Sequence, residues 1–306
     1  MRNFLINKIW ELIKKDKNVY LLTADLGYWV LNELLDKYPE QCINVWIAEQ
    51  NMIWIASGLA LSWKKVFCYS IVPFITMRCY EQIRIDICSH NLDITLIWVW
   101  WWFAYWTLWN THYWIEDINI MNWLPNMQIY SPADSIEIES WFNLLINEKS
   151  PKYIRLNRWG ENNLYNKKIN ETEIKNWIKI FDWKDLIIFT TGQITLSVKE
   201  TIEELKINNY SIKLVSIPFL KPINKNAIKN HINWISKVIT IEEHSIIWWL
   251  WSNIADIIAE NNLNVQFKKI WIKDQFFYKA WNQDYMRKLA WIDRQSITNE
   301  IKNILN

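Results

Sequence analysis

Glycine is nearly missing from this chain, with 4 in 306 residues, where a usual share of roughly 7% would give about 20. A sequence this poor in glycine lacks the residue that adopts positive φ without steric cost and lets backbones approach closely. Proline is scarce too, at 7, which excludes a collagen-like or proline-rich extended protein. The four cysteines, Cys42, Cys68, Cys79 and Cys88, form no CxxC pair and sit in apolar segments. That spacing argues against a disulfide framework and reads as buried thiols of a reducing compartment. Charge of one sign is absent in excess: 34 basic against 32 acidic residues leave a net +2, with no electrostatic footprint for nucleic acid or an anionic membrane. The apolar run from Ile94 to Trp109 is shorter than the roughly 20 residues that cross a bilayer. The N-terminal stretch Met1–Lys17 is an amphipathic helix carrying Glu11 and Asp16, without the pattern of a cleaved signal, so a cytoplasmic location is expected.

Tryptophan, in contrast, is in surplus at 24. The two counts together approach an ordinary glycine-plus-tryptophan total. Many tryptophans stand where a backbone asks for glycine, as in Trp98-Val99-Trp100-Trp101-Trp102, Trp248-Trp249-Leu250-Trp251 and Trp159-Gly160. They follow no strand or helix period, which argues against an aromatic stripe for sugars or bases. We read most of them as glycines of a gene in which UGA encodes glycine, and the wealth of Ile, Asn and Lys fits an AT-rich genome. Trp10 and Trp141, inside helical patterns, fit tryptophan itself.

Short apolar strands alternate with amphipathic helices almost end to end. Strands are expected at 19–23, 42–45, 66–70, 94–99, 127–130 and 152–156, with helices at 30–37, 51–61, 74–90, 113–122 and 134–147 between them. A polar stretch from Glu161 to Asp182 reads as a linker. A second alternating set follows, with strands at 186–190, 212–217, 238–241 and 265–270 and helices at 197–206, 227–232 and 252–260. Strands of this kind separated by helices form parallel sheets covered on both faces. The fold class is therefore α/β, with two doubly wound domains in series, at 1–162 and 180–306.

Three segments carry chemistry. Asn44-Val45-Trp46-Ile47-Ala48-Glu49-Gln50-Asn51-Met52 places a carboxylate at a strand-to-helix turn, where parallel sheets present ligands. Tyr69-Ser70-Ile71-Val72-Pro73-Phe74 ends the next strand, followed by Arg78-Cys79-Tyr80-Glu81-Gln82-Ile83-Arg84. Trp106-Thr107-Leu108-Trp109-Asn110-Thr111-His112 delivers one histidine to a helix start. Together with Ala24-Asp25-Leu26 and the later Glu242-Glu243-His244, these segments resemble the C-terminal half of transketolase. The resemblance runs from about residue 3 to residue 300, in order and spacing, with the family's glycines at most of the Trp positions in these motifs.

That resemblance implies a pyrimidine-binding domain followed by a transketolase C-terminal domain, and thiamine diphosphate as cofactor. Glu49 would hydrogen-bond N1′ of the aminopyrimidine, where a shared proton favours the 4′-imino form that takes the proton from thiazolium C2. A buried, partly protonated carboxyl suits that role. Without the family, a solvated carboxylate at a helix start explains Glu49 as well. Phe74 would stack on the pyrimidine, and Asp25 would belong to the same cofactor site. His112 would bond a substrate hydroxyl or carbonyl, and Arg158 a substrate phosphate, for which a forked guanidinium is suited; a surface ion pair explains Arg158 equally. His244 reads as structural. The usual Asp four residues before His112 is Leu108 here, and an upstream substrate histidine is replaced by the Trp100–Trp102 run, so the sugar does not follow from the family.

No segment resembles the family's diphosphate and metal motif, and no metal site is expected on this chain. The resemblance implies one half of a split enzyme, with a heterotetramer as the expected assembly. Mg²⁺ would be held by an N-terminal partner subunit, and sugar phosphates would be the substrates. Thiamine diphosphate should bind poorly to the chain alone. Alternatives of the same half-fold are a deoxyxylulose-phosphate-synthase-like condensing enzyme, of which Arg78 in RCYEQ is reminiscent, and the beta chain of a 2-oxoacid dehydrogenase. A non-catalytic assembly component is the alternative of another class.

Overall fold

The computed structural model describes residues 1–99, 115–156, 163–206, 210–247, 250–279 and 281–306. The chain divides into two compact units: Met1–Tyr130 with Phe142–Glu161, and Ser131–Trp141 with Asn162–Asn306.

In the first unit, β1 (Val19–Thr23), β2 (Cys42–Asn44), β3 (Lys65–Ile71), β4 (Ile94–Val99), β5 (Gln128–Tyr130) and β6 (Lys152–Leu156) lie in the order β5-β6-β4-β3-β1-β2. Every pairing between them is parallel, with Leu21 beside both Cys42 and Phe67. β3 and β4 are buried almost throughout, as strands covered on both faces must be. The chain leaves β1 for β2 on one side and returns to β3 on the other. The order of strands therefore reverses at β1, and open α/β sheets bind ligands beyond the carboxyl ends at such a point.

The helices around that point follow their sequences with one exception. Helix α1 (Arg2–Lys15) buries Leu5, Ile6, Ile9 and Ile13 at helical spacing. Helix α2 (Asn32–Lys37) is short, and α3 (Glu49–Leu61) starts two residues earlier than its apolar pattern suggests. The single long helix expected over 74–90 is instead broken. A turn of helix at Val72–Ile75, with Pro73 in its first turn, gives way to a bend, then to Tyr80–Gln82 and a π-helical stretch Ile83–Cys88. The Arg78 amide reaches back to the Pro73 carbonyl (3.2 Å) and the Cys79 thiol to the Phe74 carbonyl (3.2 Å), so the break has its own bonds. Apolar periodicity runs through such a break unaltered, which is why the pattern alone reads as one helix.

In the second unit, β7 (Ile178–Phe181), β8 (Leu186–Thr190), β9 (Ile212–Ser216), β11 (Lys237–Ser245) and β12 (Gln266–Ile272) form a sheet ordered β12-β11-β8-β9-β7; the short β10 (Phe219–Lys221) lies outside it. Strand β7 runs antiparallel to β9, so the sheet is mixed. The expected linker thus holds a strand and a helix, Glu171–Lys175. Asn170 and Glu173 start that helix by bonding each other's backbone amides. Two further helices, Gln283–Leu289 and Arg294–Leu305, close the unit.

Ten non-glycine residues among those described have positive φ, and six are tryptophans: Trp29, Trp46, Trp63, Trp177, Trp234 and Trp291. Trp63 and Trp291 follow helix ends closed by the same pair of bonds. The Trp63 amide bonds Ala60 (3.0 Å) and Lys64 bonds Leu59 (3.0 Å); Trp291 bonds Lys288 (3.2 Å) and Ile292 bonds Arg287 (3.0 Å). This closure places a left-handed residue just past the helix, usually Gly or Asn. Asn262 fills that place after Leu250–Glu260 with the same two bonds. Most of these indoles gain little for this backbone, Trp29 being 95% exposed and Trp234 92%, whereas Trp177 is buried and lies edge-on to Phe189. Trp98, Trp141 and Trp10 differ. Trp98 is buried and stacks on Tyr153, Trp141 is buried edge-on to Phe219, and Trp10 lies under Lys14 and Lys37.

Glu137 is a buried carboxyl in the second unit, receiving bonds from the Ala133 amide (2.6 Å), the Tyr165 hydroxyl (2.7 Å) and the Ser216 hydroxyl (2.7 Å). Burial, reinforced by the nearby Asp134 charge, pushes its pKa up to about 7. The folded chain therefore holds this proton more tightly than the unfolded chain, and stability from this group falls as pH rises between the ordinary glutamate value and 7. Urea unfolding at pH 5 and pH 8 should show that loss, roughly 1–3 kcal/mol. Glu137→Gln, which keeps the shape without the charge, should flatten it.

Candidate active site

The site is built at the carboxyl ends of β2, β1 and β3. Past β1, the chain turns sharply. The Thr23 hydroxyl donates to the Leu26 carbonyl (2.8 Å), and Gly27 takes φ +90°. A Cβ on Gly27 would sit 2.5 Å from Leu31 and 3.1 Å from Tyr69, so this glycine is required by space as well as conformation. Asp25 lies in this turn, accepting a bond from the Tyr28 hydroxyl (2.9 Å).

Asn44, the last residue of β2, ties the two turns together. Its Oδ1 accepts the amides of Asp25 (2.9 Å) and Trp46 (2.9 Å), and the Val45 amide bonds the Thr23 carbonyl (2.8 Å). Asn44 is not among the residues that the motifs assign to the site. Its signal was an Asn followed two residues later by a left-handed position, the pattern of an Asx turn.

From that turn α3 begins at Glu49, whose side chain is 2% exposed although it stands at a helix start beside the strand ends. The carboxylate accepts a bond from Arg78 Nη1 at 2.6 Å. Arg78 comes from the break after β3, and its guanidinium carbon lies 4.3 Å from the centre of the Phe74 ring. Glu49 and Phe74 thus frame one flat cation, the carboxylate at its edge and the aromatic ring against its face. Gln50 donates to the Arg78 carbonyl (3.2 Å), which fixes the bend against α3. Behind it, burial and then the Glu49 charge push the Cys79 thiol up to about 12, so it is an inert neighbour. All four cysteines are buried, and no disulfide joins them.

Glu49, Phe74 and Asp25 are thus on the same sheet edge, with Glu49 and Phe74 in contact with one group. His112, Leu108 and Arg158 lie outside the described residues. His244, in β11, is buried with its Nδ1 3.2 Å from the Ser245 carbonyl oxygen. Its neighbours have structural bonds: Glu242 accepts the amides of Leu250 and Trp251 at a helix start, and Glu243 pairs with Arg287 (2.7 Å). Among the described residues no cluster of three or more His, Cys, Asp or Glu is placed to hold a metal ion, and no helix is long and apolar enough to cross a membrane.

A buried carboxylate beside an aromatic face thus lies at the point where a parallel sheet reverses its order, a place where open α/β sheets bind ligands. Comparison with known proteins makes the assignment specific. Residues 1–160 match the family model of the transketolase pyrimidine binding domain, and residues 178–297 that of the transketolase C-terminal domain. The chain belongs to the transketolase family. A Methanocaldococcus jannaschii protein provisionally described as a transketolase C-terminal section is 32% identical over 95% of this chain and 92% of its own length. One of the subunits of the apulose-4-phosphate transketolase of Actinobacillus succinogenes is 26% identical over 98% of this chain and 96% of its own. A solved split-gene transketolase, an inactive beta4 tetramer, superposes with a TM-score of 0.86 at 25% identity, covering 99% of this chain and 97% of that one. The chain thus has the two domains of a thiamine-diphosphate-dependent family of transferases, and over nearly its whole length it is similar to proteins that are sections or subunits of split transketolases.

The Asn44 clamp carries a prediction. Asn44→Ala leaves the amides of Asp25 and Trp46 without their acceptor and should cost about 0.5–2 kcal/mol of stability, as loss of a cap does. Urea denaturation checks it, and an unchanged midpoint would remove Asn44 from the site's framework.

Proposed function

We propose that this chain supplies the aminopyrimidine pocket of an active site completed by its N-terminal partner subunit, and that the pair transfers a two-carbon ketol unit between sugar phosphates. The observation that carries this reading is the buried Glu49 carboxylate bonded to the edge of a planar cation whose face lies on Phe74. These residues offer what an aminopyrimidine needs, a carboxyl that can share a proton with the ring edge and an aromatic surface against the ring. Thiamine diphosphate, when bound, supplies the electron sink that lets a carbon–carbon bond of a ketose break. Glu49 holds a proton at N1′, Phe74 orients the ring and excludes water from one face, and Asp25 stands at the adjoining strand end. His112 and Arg158 meet the substrate hydroxyl and phosphate. The diphosphate and its Mg²⁺ belong to the partner, and the assembly is a cytoplasmic heterotetramer serving carbohydrate metabolism.

We also infer that most tryptophans of this sequence are glycines in the translated protein, through UGA read as glycine. The support is the placement of Trp63, Trp177, Trp234 and Trp291 at left-handed positions after helices, where Asn262 is the comparable residue, and of Trp29 and Trp46 at left-handed turns. A bulky residue in that conformation costs about 1–3 kcal/mol, so six would cancel much of a typical stability of about 5–15 kcal/mol.

Two measurements test these readings. In the reconstituted pair, Glu49→Gln should lower two-carbon transfer by roughly 10²–10⁴ while leaving circular dichroism unchanged; full activity would overturn the assignment, and carbon dioxide release from pyruvate would favour the condensing-enzyme alternative. For the tryptophans, Trp63→Gly and Trp291→Gly should each raise stability by about 1–3 kcal/mol. The gene should carry UGA at Trp63, Trp177, Trp234 and Trp291, and UGG throughout would sink the idea.

A further inference from the structure

Arg78 makes two contacts at once, a 2.6 Å bond to Glu49 and a 4.3 Å approach to the Phe74 ring, and both partners are the ones assigned to the cofactor's pyrimidine. We propose that the Arg78 guanidinium is a built-in occupant of the aminopyrimidine pocket, seated there in the unloaded chain and displaced when the ring binds. This rests on the reading of Glu49 and Phe74 given above.

Three features carry it. First, a guanidinium is flat and delocalised, with N–H donors at its edge and faces that stack on aromatic rings, so one group satisfies both halves of the pocket. Second, Glu49 is 2% exposed, and a buried carboxylate left without a donor is costly; a resident cation removes that cost until N1′ arrives. Third, the side chain has a way out. It is 42% exposed, and its anchor is the backbone: the Arg78 amide bonds Pro73 and its carbonyl accepts from Gln50. Rotation of the side chain can therefore empty the pocket without disturbing the break between the helices. The bend at Thr76–Cys79 makes this possible, because an unbroken helix from Phe74 would place residue 78 one turn on, beside its own backbone ladder.

The test uses the full-length chain and the free hydroxymethyl-aminopyrimidine portion of thiamine, with calorimetry as the readout. Removing a competitor that makes one part-exposed ion pair and one cation–ring contact should tighten binding by about tenfold in Arg78→Ala. Arg78→Lys, which keeps the charge and loses the flat fork, should fall between. In the wild type, the Arg78 side-chain NMR resonance should shift as the ring is added. Equal or weaker binding by Arg78→Ala overturns the proposal, as does failure of both chains to bind up to the solubility of the ring. Two-carbon transfer by the reconstituted Glu49→Gln pair decides the underlying site reading separately, since that assay does not depend on what Arg78 does in the unloaded chain.

Discussion

The first unit depends on one constraint, the parallel pairing of β2, β1 and β3 in register. Leu21 lies beside Cys42 on one side and Phe67 on the other, so β1 and β2 end level and β3 runs two residues further, to Ile71. Parallel strands in register bring their following turns to one edge of the sheet, and each turn delivers one candidate residue. β1 delivers Asp25, β2 leads into Glu49, and β3 leads into Phe74. A slip of register by one residue would turn each strand's side chains to the opposite face and break this convergence. The apolar burial of β3 and β4 holds the register, and Asn44 adds a polar tie at the edge itself.

The broken helix after β3 links fold to chemistry. Pro73 starts a first helical turn, the chain bends, and a π-helical stretch resumes the run. Such irregular turns concentrate at functional sites because they aim a side chain that a regular helix would hide. Here the bend returns Arg78 to Phe74 and Glu49. Arg78 consequently lies between the two side chains, and the Glu49 carboxylate stays paired although it stands at strand ends suited to a ligand.

Much of this was legible beforehand. Alternating strands and helices, the two-part α/β organisation and the ordered motifs all follow from local pattern, because apolar runs and helical periodicity survive in a single sequence. That Glu49 and Phe74 are candidates was legible through the family's motifs. Their contact with a shared group was not, since the two residues lie on different connections and meet only through strand order. The strand β7 and the helix at Glu171–Lys175 were hidden in a polar stretch, because an edge strand and a capped short helix need little apolar sequence.

The sequence by itself determined the elements, the family resemblance and the anomaly of tryptophan against glycine, all of which are properties of residue type and spacing. Tertiary structure alone decided the reversal of strand order at β1, the clamp at Asn44 and the seating of Arg78 between Glu49 and Phe74. It also separated Trp63, Trp234 and Trp291, at left-handed backbone, from Trp98 and Trp141, which are packed as indoles. The reason is common to all of these: they depend on backbone angle and on contacts between residues distant in the chain, and neither is written in the identity of a single residue.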